Sequence, residues 1–346
     1  MGAAHPSPIR RAGALTALTL AAGLFLTSCV GESATPAAAP SSGMDMGGKK
    51  TGHPAAPACP PLPKLDTPPK RIVTMDGGAA AILTELGLGD RIVGTAAPDF
   101  FAAFPPDKKA ALDKIPVLDP GQGNAEKVIN ARPDLVVGLS TYSFGGFDGT
   151  PTVDRLAQAG AKTLVACESA GGGPVKDLSV TTKFITEAAD VLGVAEKGKQ
   201  LAAQVQSAVD GARGGGGAPV RVLAVSGPPA PGQPVMTQGG TSLANGVITL
   251  AGGKNIAEDA STDFASLSSE EVAARDPQAI VVISGFAPGS DADLTAAIRS
   301  SPVLAGSTAV KENRLVVVPQ SILLSPSVLN GQAVATIAAA LRKPAA

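Results

Sequence analysis

The feature that most constrains this chain is a pattern that occurs twice, 144 residues apart. Asn124-Ala125-Glu126-Lys127-Val128, followed by Arg132-Pro133-Asp134-Leu135-Val136-Val137, is echoed by Ser268-Ser269-Glu270-Glu271-Val272, followed by Pro277-Gln278-Ala279-Ile280-Val281. Each copy opens on a residue suited to cap a helix. Each sets a carboxylate in the first turn, where the helix dipole favours negative charge. Each closes on a proline and an apolar run that reads as a buried strand. A chain made of two such copies folds as two similar lobes. At 346 residues it can give each lobe a core of its own.

The segments around the repeat set the fold class. Arg71–Thr74, Arg91–Gly94, Leu135–Gly138 and Thr163–Ala166 are short β-branched runs. They alternate with helix-compatible spacing over Ala79–Leu86, Ala125–Ala131 and Val153–Ala159. This βαβ rhythm implies an α/β protein with mostly parallel sheets. Ser179–Arg213 reads as one long rigid helix, bent at most at Gly193 and ended by Gly214–Gly217. A second series follows in Val220–Val225, Val235-Met236, Ala279–Ile283 and Leu315–Val318, with a final helix over Asn330–Leu341. The expected organisation is an N-terminal lobe at 62–178, a linking helix at 179–213 and a C-terminal lobe at 214–346.

Before residue 62 the chain has another character. Arg10 and Arg11 precede an apolar run, Ala12–Leu26, too short to span a bilayer comfortably. Leu26-Thr27-Ser28-Cys29 then resembles a bacterial lipobox, which makes 1–28 a lipoprotein signal peptide and Cys29 the acylated residue. The span 29–61 is rich in Ala, Pro, Gly and Ser and reads as a flexible tether. Met44, Met46 and His53 fall in it, and in such a tract they read as linker residues before metal ligands. Extracytoplasmic proteins meet an oxidising environment, so Cys59 and Cys167 are a candidate disulfide, with two buried thiols as the alternative.

The repeat and its surroundings resemble the helical-backbone class of ABC binding proteins, which serve ferric siderophores, cobalamin and haem. The likeness is carried by Pro69–Gly94, Asn124–Gly138, Gly239–Leu243, Ala251–Ile256 and Ser268–Ile283, in that order, and covers Leu62–Leu341. It implies two Rossmann-like lobes facing across a shallow cleft, with a linking helix that permits small motions. It also implies one glutamate per lobe docking onto arginines of a permease that works with an ATPase. Those positions fall on Glu126 and Glu270, where the repeat had already set its paired carboxylates. Helix-dipole partnership is the plainer role for both.

In open parallel sheets, ligands sit beyond the carboxyl ends of the strands. Here those ends lead into Asp76–Ala79, Thr95–Phe104, Asp119–Gly123, Leu139–Gly149, Ser226–Pro234, Ser284–Asp291 and Pro319–Pro326. The chain has nine Phe, one Tyr and no Trp. Phe100, Phe101, Phe104, Tyr142, Phe144, Phe147 and Phe286 all lie in these loops, which is not how a protein keeping its aromatics for the core would place them. The resemblance adds Phe264 as a cleft aromatic. Gln122, Ser140, Gln238, Ser284 and Gln320 are candidate hydrogen-bonding residues. The loops contain Asp76, Asp99, Asp119, Asp148 and Asp291 but no Lys or Arg. A polyanionic chelate would want basic partners, so a neutral or cationic ferric siderophore, or cobalamin, is expected.

Other classes fare worse. The formal net charge of −1 gives no nucleic-acid footprint. The two histidines, His5 and His53, both precede the lobes, so a bare-metal site of the imidazole type is not expected. The same absence leaves haem to Tyr142 or Met236 and removes the usual catalytic base, so no enzyme and no resident cofactor are expected. The remaining rival is a binding-protein fold retained as an envelope interaction or assembly lipoprotein.

Overall fold

The computed structural model describes residues 57–167, 173–213, 218–286 and 289–342. The signal, Cys29, Met44, Met46 and His53 lie outside these residues. Five strands, β1 (Ile72–Thr74), β2 (Ile92–Ala96), β3 (Val117–Asp119), β4 (Leu135–Gly138) and β5 (Lys162–Val165), form one parallel sheet in the order β3-β2-β1-β4-β5. Parallel strands are buried on both faces, and alternate side chains feed two cores. Ile72, Leu135, Val137 and Leu164 join one, and Val73, Val136 and Val165 join the other.

The second lobe repeats this plan. Its strands are β6 (Val220–Val225), β7 (Val235–Gln238), β8 (Gly253–Asn255), β9 (Phe264–Leu267), β10 (Ala279–Ser284) and β11 (Leu315–Pro319). Four of them form a parallel sheet in the order β11-β10-β6-β8. That matches β5-β4-β1-β2 of the first lobe. Val222, Ala224, Val281 and Ile283 face one core, and Leu223, Val225, Ile280 and Val282 face the other. The Val235-Met236 run does not continue the parallel series as its sequence suggested. β7 pairs antiparallel with β9 in a separate two-stranded ribbon.

The repeat is visible down to single hydrogen bonds. The helices Ala125–Asn130 and Ser269–Arg275 are capped by Asn124 and Ser268, the latter in a full capping box with Glu271. Each helix exits through a non-glycine residue at positive φ, Arg132 at 49° and Asp276 at 35°. An arginine at the start of the central strand clamps each exit. Arg71 donates to the carbonyls of Ala131 and Arg132, and Arg221 donates to those of Arg275 and Asp276. The side chain two residues further on, Asp134 or Gln278, accepts from the backbone N–H of that same arginine. The clamp stabilises a conformation that L-residues disfavour.

Ser179–Arg213 departs from the single rigid helix expected of it. It is a helical hairpin of Ser179–Val191 and Ala195–Ala212. Gly193, at φ 75°, reverses the chain between them. The two helices pack closely because a Cβ at Gly198 would collide with Ala189. The second helix joins the two cores: Leu201 and Val205 pack in the first, Val209 and Ala212 in the second. The chain also reaches the second lobe earlier than the expected limit at 178. Val175 and Leu178 already belong to the second core. Both lobes fall within one compact unit, residues 52–346.

Candidate binding cleft

Each sheet reverses its strand order beside the central strand, and in open α/β sheets the crevice at that point receives the ligand. In the first lobe the point lies between β1 and β4. Asp76, directly after β1, caps the helix Gly77–Glu85 by accepting from Ala79 N–H at 2.7 Å, and also accepts from Leu139 N–H at 3.1 Å. One carboxyl thus ties together the two loops that flank the switch point. Burial pushes it up to about 6, against the pull of the Ala79, Leu139 and Gly78 N–H groups. Phe100 closes over Gly78, where a Cβ would lie 3.5 Å from its ring and 2.7 Å from Leu139.

Beyond Leu139 the chain makes a short 3₁₀ turn, Thr141–Ser143, with the Ser140 hydroxyl accepting from Tyr142 N–H. The Tyr142 ring stacks on Phe147, with centroids 5.6 Å apart. The glycines under it are required: Gly145 sits at φ 97°, and a Cβ on Gly146 would lie 2.7 Å from the Tyr142 Cα. From the other lobe, Phe264 at the start of β9 meets Tyr142 edge to face at 6.4 Å. This is the geometry that aromatic quadrupoles prefer. Three rings from two lobes therefore form one apolar surface across the cleft.

Not every expected aromatic belongs to it. Phe101 and Phe104 are 2% and 7% exposed and pack into the first core. A Cβ on Gly77 would lie 2.9 Å from the Phe101 ring, so this glycine admits the ring beneath the helix. Phe144, 3% exposed, fills the opposite core against Gly138 and Met75. These three place their loops and do not face the cleft. Phe286 stands on the surface after β10, 53% exposed. Gln122 is exposed, and Gln238 is buried opposite Phe264 in the ribbon. The Gln320 amide donates to the Gly285 carbonyl and so braces the loop carrying Phe286. Met236, in the ribbon and 44% exposed, is a surface apolar residue that the loop-based reading passed over; its alternation with buried Val235 and Thr237 is the signal for it.

The acidic residues are also more occupied than their loop positions suggest. Asp119 pairs with Lys127 at 3.1 Å and accepts from the N–H groups of Gly123 and Asn124. Partial burial works to raise its carboxyl, but the Lys127 bond and the two N–H groups outweigh it and hold the group low. Glu126 and Glu270 contrast with it. Both are exposed in the first turns of their helices and, among the described residues, neither carboxylate has a hydrogen-bond or ion-pair partner. Each helix leads into the amino end of β4 or β10, so each N-terminus lies on the carboxyl-end, cleft side of its sheet. Among the described residues no three His, Cys, Asp or Glu side chains cluster as a metal site, and no helix is long and apolar enough to cross a membrane.

Cys59 and Cys167 are joined by a disulfide, with Cα atoms 5.8 Å apart. Cys167 lies two residues past β5, also on the carboxyl-end side.

The family model described as "Periplasmic binding protein" matches residues 72–322, most of the chain. The chain belongs to the periplasmic binding protein family. This binding protein is 29% identical to the cobalamin-binding protein of Halobacterium salinarum over 269 residues, covering 76% of this chain and 67% of that one. Among solved structures it is similar to an ABC-type Fe3+-hydroxamate transport protein of Saccharomonospora viridis, at TM-score 0.64 and 23% identity, over 81% of this chain and 95% of that one. It is also similar to the periplasmic heme-binding protein RhuT of Roseiflexus, at TM-score 0.60 and 26% identity, over 78% and 97%. The two solved structures share the α/β architecture of this chain.

Proposed function

We propose that this binding protein is the lipid-anchored capture component of an ABC importer, and that its cargo is a large, weakly charged metal chelate. A corrinoid ranks first and a hydroxamate-type ferric siderophore second. The observation that carries the reading is the ring surface of Tyr142, Phe147 and Phe264, contributed by both lobes beside loops that hold no Lys, Arg or His. An apolar concave surface with few fixed charges suits a ligand with broad apolar faces. The name of the Halobacterium relative favours the corrinoid. Haem is the third reading, favoured by the Roseiflexus relative and by Tyr142 as an iron ligand. Its propionates would find no cation in these loops, so it ranks below the other two.

Capture and release are the whole of the proposed activity. Cys29 carries the anchor. Glu126 and Glu270 dock onto the permease, and the unpaired state of both carboxylates supports that role. The deciding experiment is calorimetric unfolding with cyanocobalamin, a ferric hydroxamate, ferric citrate and haem in turn, since the chain has no Trp to report binding. A cargo at 100 times its Kd raises the unfolding free energy by about 2.7 kcal/mol. Ferric citrate binding more tightly than the first two would overturn the weakly charged cargo. No shift with any of the four would favour the envelope-interaction reading. Glu126→Arg with Glu270→Arg should abolish uptake and leave cargo affinity within about twofold, a difference of about 0.4 kcal/mol.

A further inference from the structure

The segment between the tether and β1 has an unusual attachment. Residues 57–69 have no helix or strand and, among the described residues, no hydrogen bond to the rest of the lobe. The segment is fixed at its two ends. At the lower end Asp134 accepts from Lys70 N–H at 2.7 Å and Arg71 N–H at 3.0 Å, at the amino edge of the sheet. At the upper end the disulfide holds Cys59 to Cys167, beyond the carboxyl end of β5. Between them Leu65 packs partly on the core, Pro60 and Pro63 are half-buried and Pro69 is buried. The strap therefore climbs the height of the first lobe, from the face opposite the cleft to the cleft side.

We infer that the Cys59–Cys167 bridge sets the face from which the tether leaves, turning the cleft and the docking glutamates toward the membrane. This rests on the proposed lipid anchor at Cys29. Without the bridge a few apolar side chains, Pro60, Pro63, Leu65 and Pro69, would be all that keeps the strap in place among the described residues. The chain would then leave the lobe near Lys70, on the side away from Glu126 and Glu270. Freeing the strap lengthens the connection to Cys29 from 30 to 41 residues. For a Gly- and Ser-rich coil that raises the r.m.s. reach only from about 30 to about 35 Å. The exit point meanwhile moves by up to about 36 Å, the span of eleven extended residues. The bridge thus acts on orientation far more than on reach.

The test uses the full-length, lipidated chain in vesicles carrying a fluorescent acceptor lipid. A fluorescent residue replaces either Asp154, on the cleft side, or Asn130, at the amino-edge end of its helix; both positions are exposed. In the bridged protein, energy transfer to the membrane should be about twofold greater from 154 than from 130, as the shorter reach of the tether allows. Cys59→Ser with Cys167→Ser should erase or invert that ratio. A ten-residue Gly/Ser insertion ahead of residue 57, with the bridge intact, should keep its sign and needs no folding of the unbridged chain. A ratio of one in the bridged protein, or the same ratio with and without the bridge, overturns the inference alone. Transfer no greater than in Cys29→Ala overturns the anchoring, and the inference with it.

Discussion

The two lobes hold the same four-strand plan with the same arginine clamp, yet each carries different material at its carboxyl end. In the first lobe the additions are the edge strand β3, the 3₁₀ turn under Phe100 and the glycine-rich loop of Tyr142 and Phe147. In the second lobe the addition is the antiparallel ribbon that presents Phe264 and Met236. The repeated parts build the scaffold and place one free glutamate on each lobe. The unrepeated parts supply the apolar rings. Under the proposed function, division of labour would follow the symmetry: what is duplicated would position, and what is unique would recognise.

The largest expected asymmetry is the disulfide, which only the first lobe has among the described residues. It closes a loop of 108 residues. Removing it with Cys59→Ser and Cys167→Ser should lower stability by about 5 kcal/mol in the chain-entropy account. Urea unfolding of the variant checks this. The expected result is a first lobe that unfolds before the second, splitting one transition into two; a shift below about 1 kcal/mol would mean that the strap constrains the denatured chain little.

Asp76 makes the next contrast, because among the described residues the second lobe has no buried carboxyl at its own switch point. Its folded pKa, about 6, lies above the ordinary value of 3.8. The folded state therefore binds more protons between those values. The stabilisation is complete below about pH 4 and is lost as pH rises through about 6, a change of roughly 2–3 kcal/mol. No histidine interferes, since both lie ahead of residue 57. Measured from pH 4.5 to 7.5, the wild type should lose stability, and Asp76→Asn should flatten the slope. Asp119, Asp259, Glu271 and Asp276 are all held low and act in the opposite sense, near pH 4 and below.

How much of this was legible in the sequence follows the same division. The constant offset located both capped helices, both glutamates and the strands after them, because caps, dipoles and β-branched runs are local signals. The linking segment was not legible. Apolar spacing is the same for a helix that runs on and for one that reverses at Gly193, and only the positive φ of that glycine decides. β7 and β9 were missed as a ribbon because their pairing spans a long separation. The aromatic loops were found, but loop position does not give side-chain direction. Phe101 and Phe144 turn inward because Gly77 and Gly138 leave them room, and Phe104 packs into the same core as Phe101.

The two clamps offer a finer comparison. Arg221 serves two carbonyls and also pairs with the Asp276 carboxylate at 3.1 Å, which in turn accepts from Thr308 N–H and hydroxyl. Arg71 serves two carbonyls without a carboxylate of its own among the described residues. At about 1 kcal/mol net per hydrogen bond, Arg221→Met should destabilise by about 3 kcal/mol and Arg71→Met by about 2 kcal/mol. Equal losses in chemical unfolding would assign the clamp's worth to its carbonyls alone.

The smallest expected effect on stability accompanies the sharpest test of the recognition surface. Tyr142 and Phe264 touch each other but neither fills a core, so Tyr142→Ala and Phe264→Ala should each cost about 1 kcal/mol or less of folding stability. Cargo affinity should respond more, falling about tenfold for each, or 1.4 kcal/mol, by isothermal titration. The rings are in contact, so the two losses should not add; the double variant should fall short of a hundredfold. Phe144→Leu is the control: Phe144 belongs to the same unrepeated loop, but its ring packs in the core of the duplicated strands, so the change loosens that core and should lower stability while altering affinity less than either cleft variant. If Phe144→Leu weakened binding more than Tyr142→Ala, recognition would depend on the stiffness of the scaffold, and the separation of duplicated from unique parts would fail.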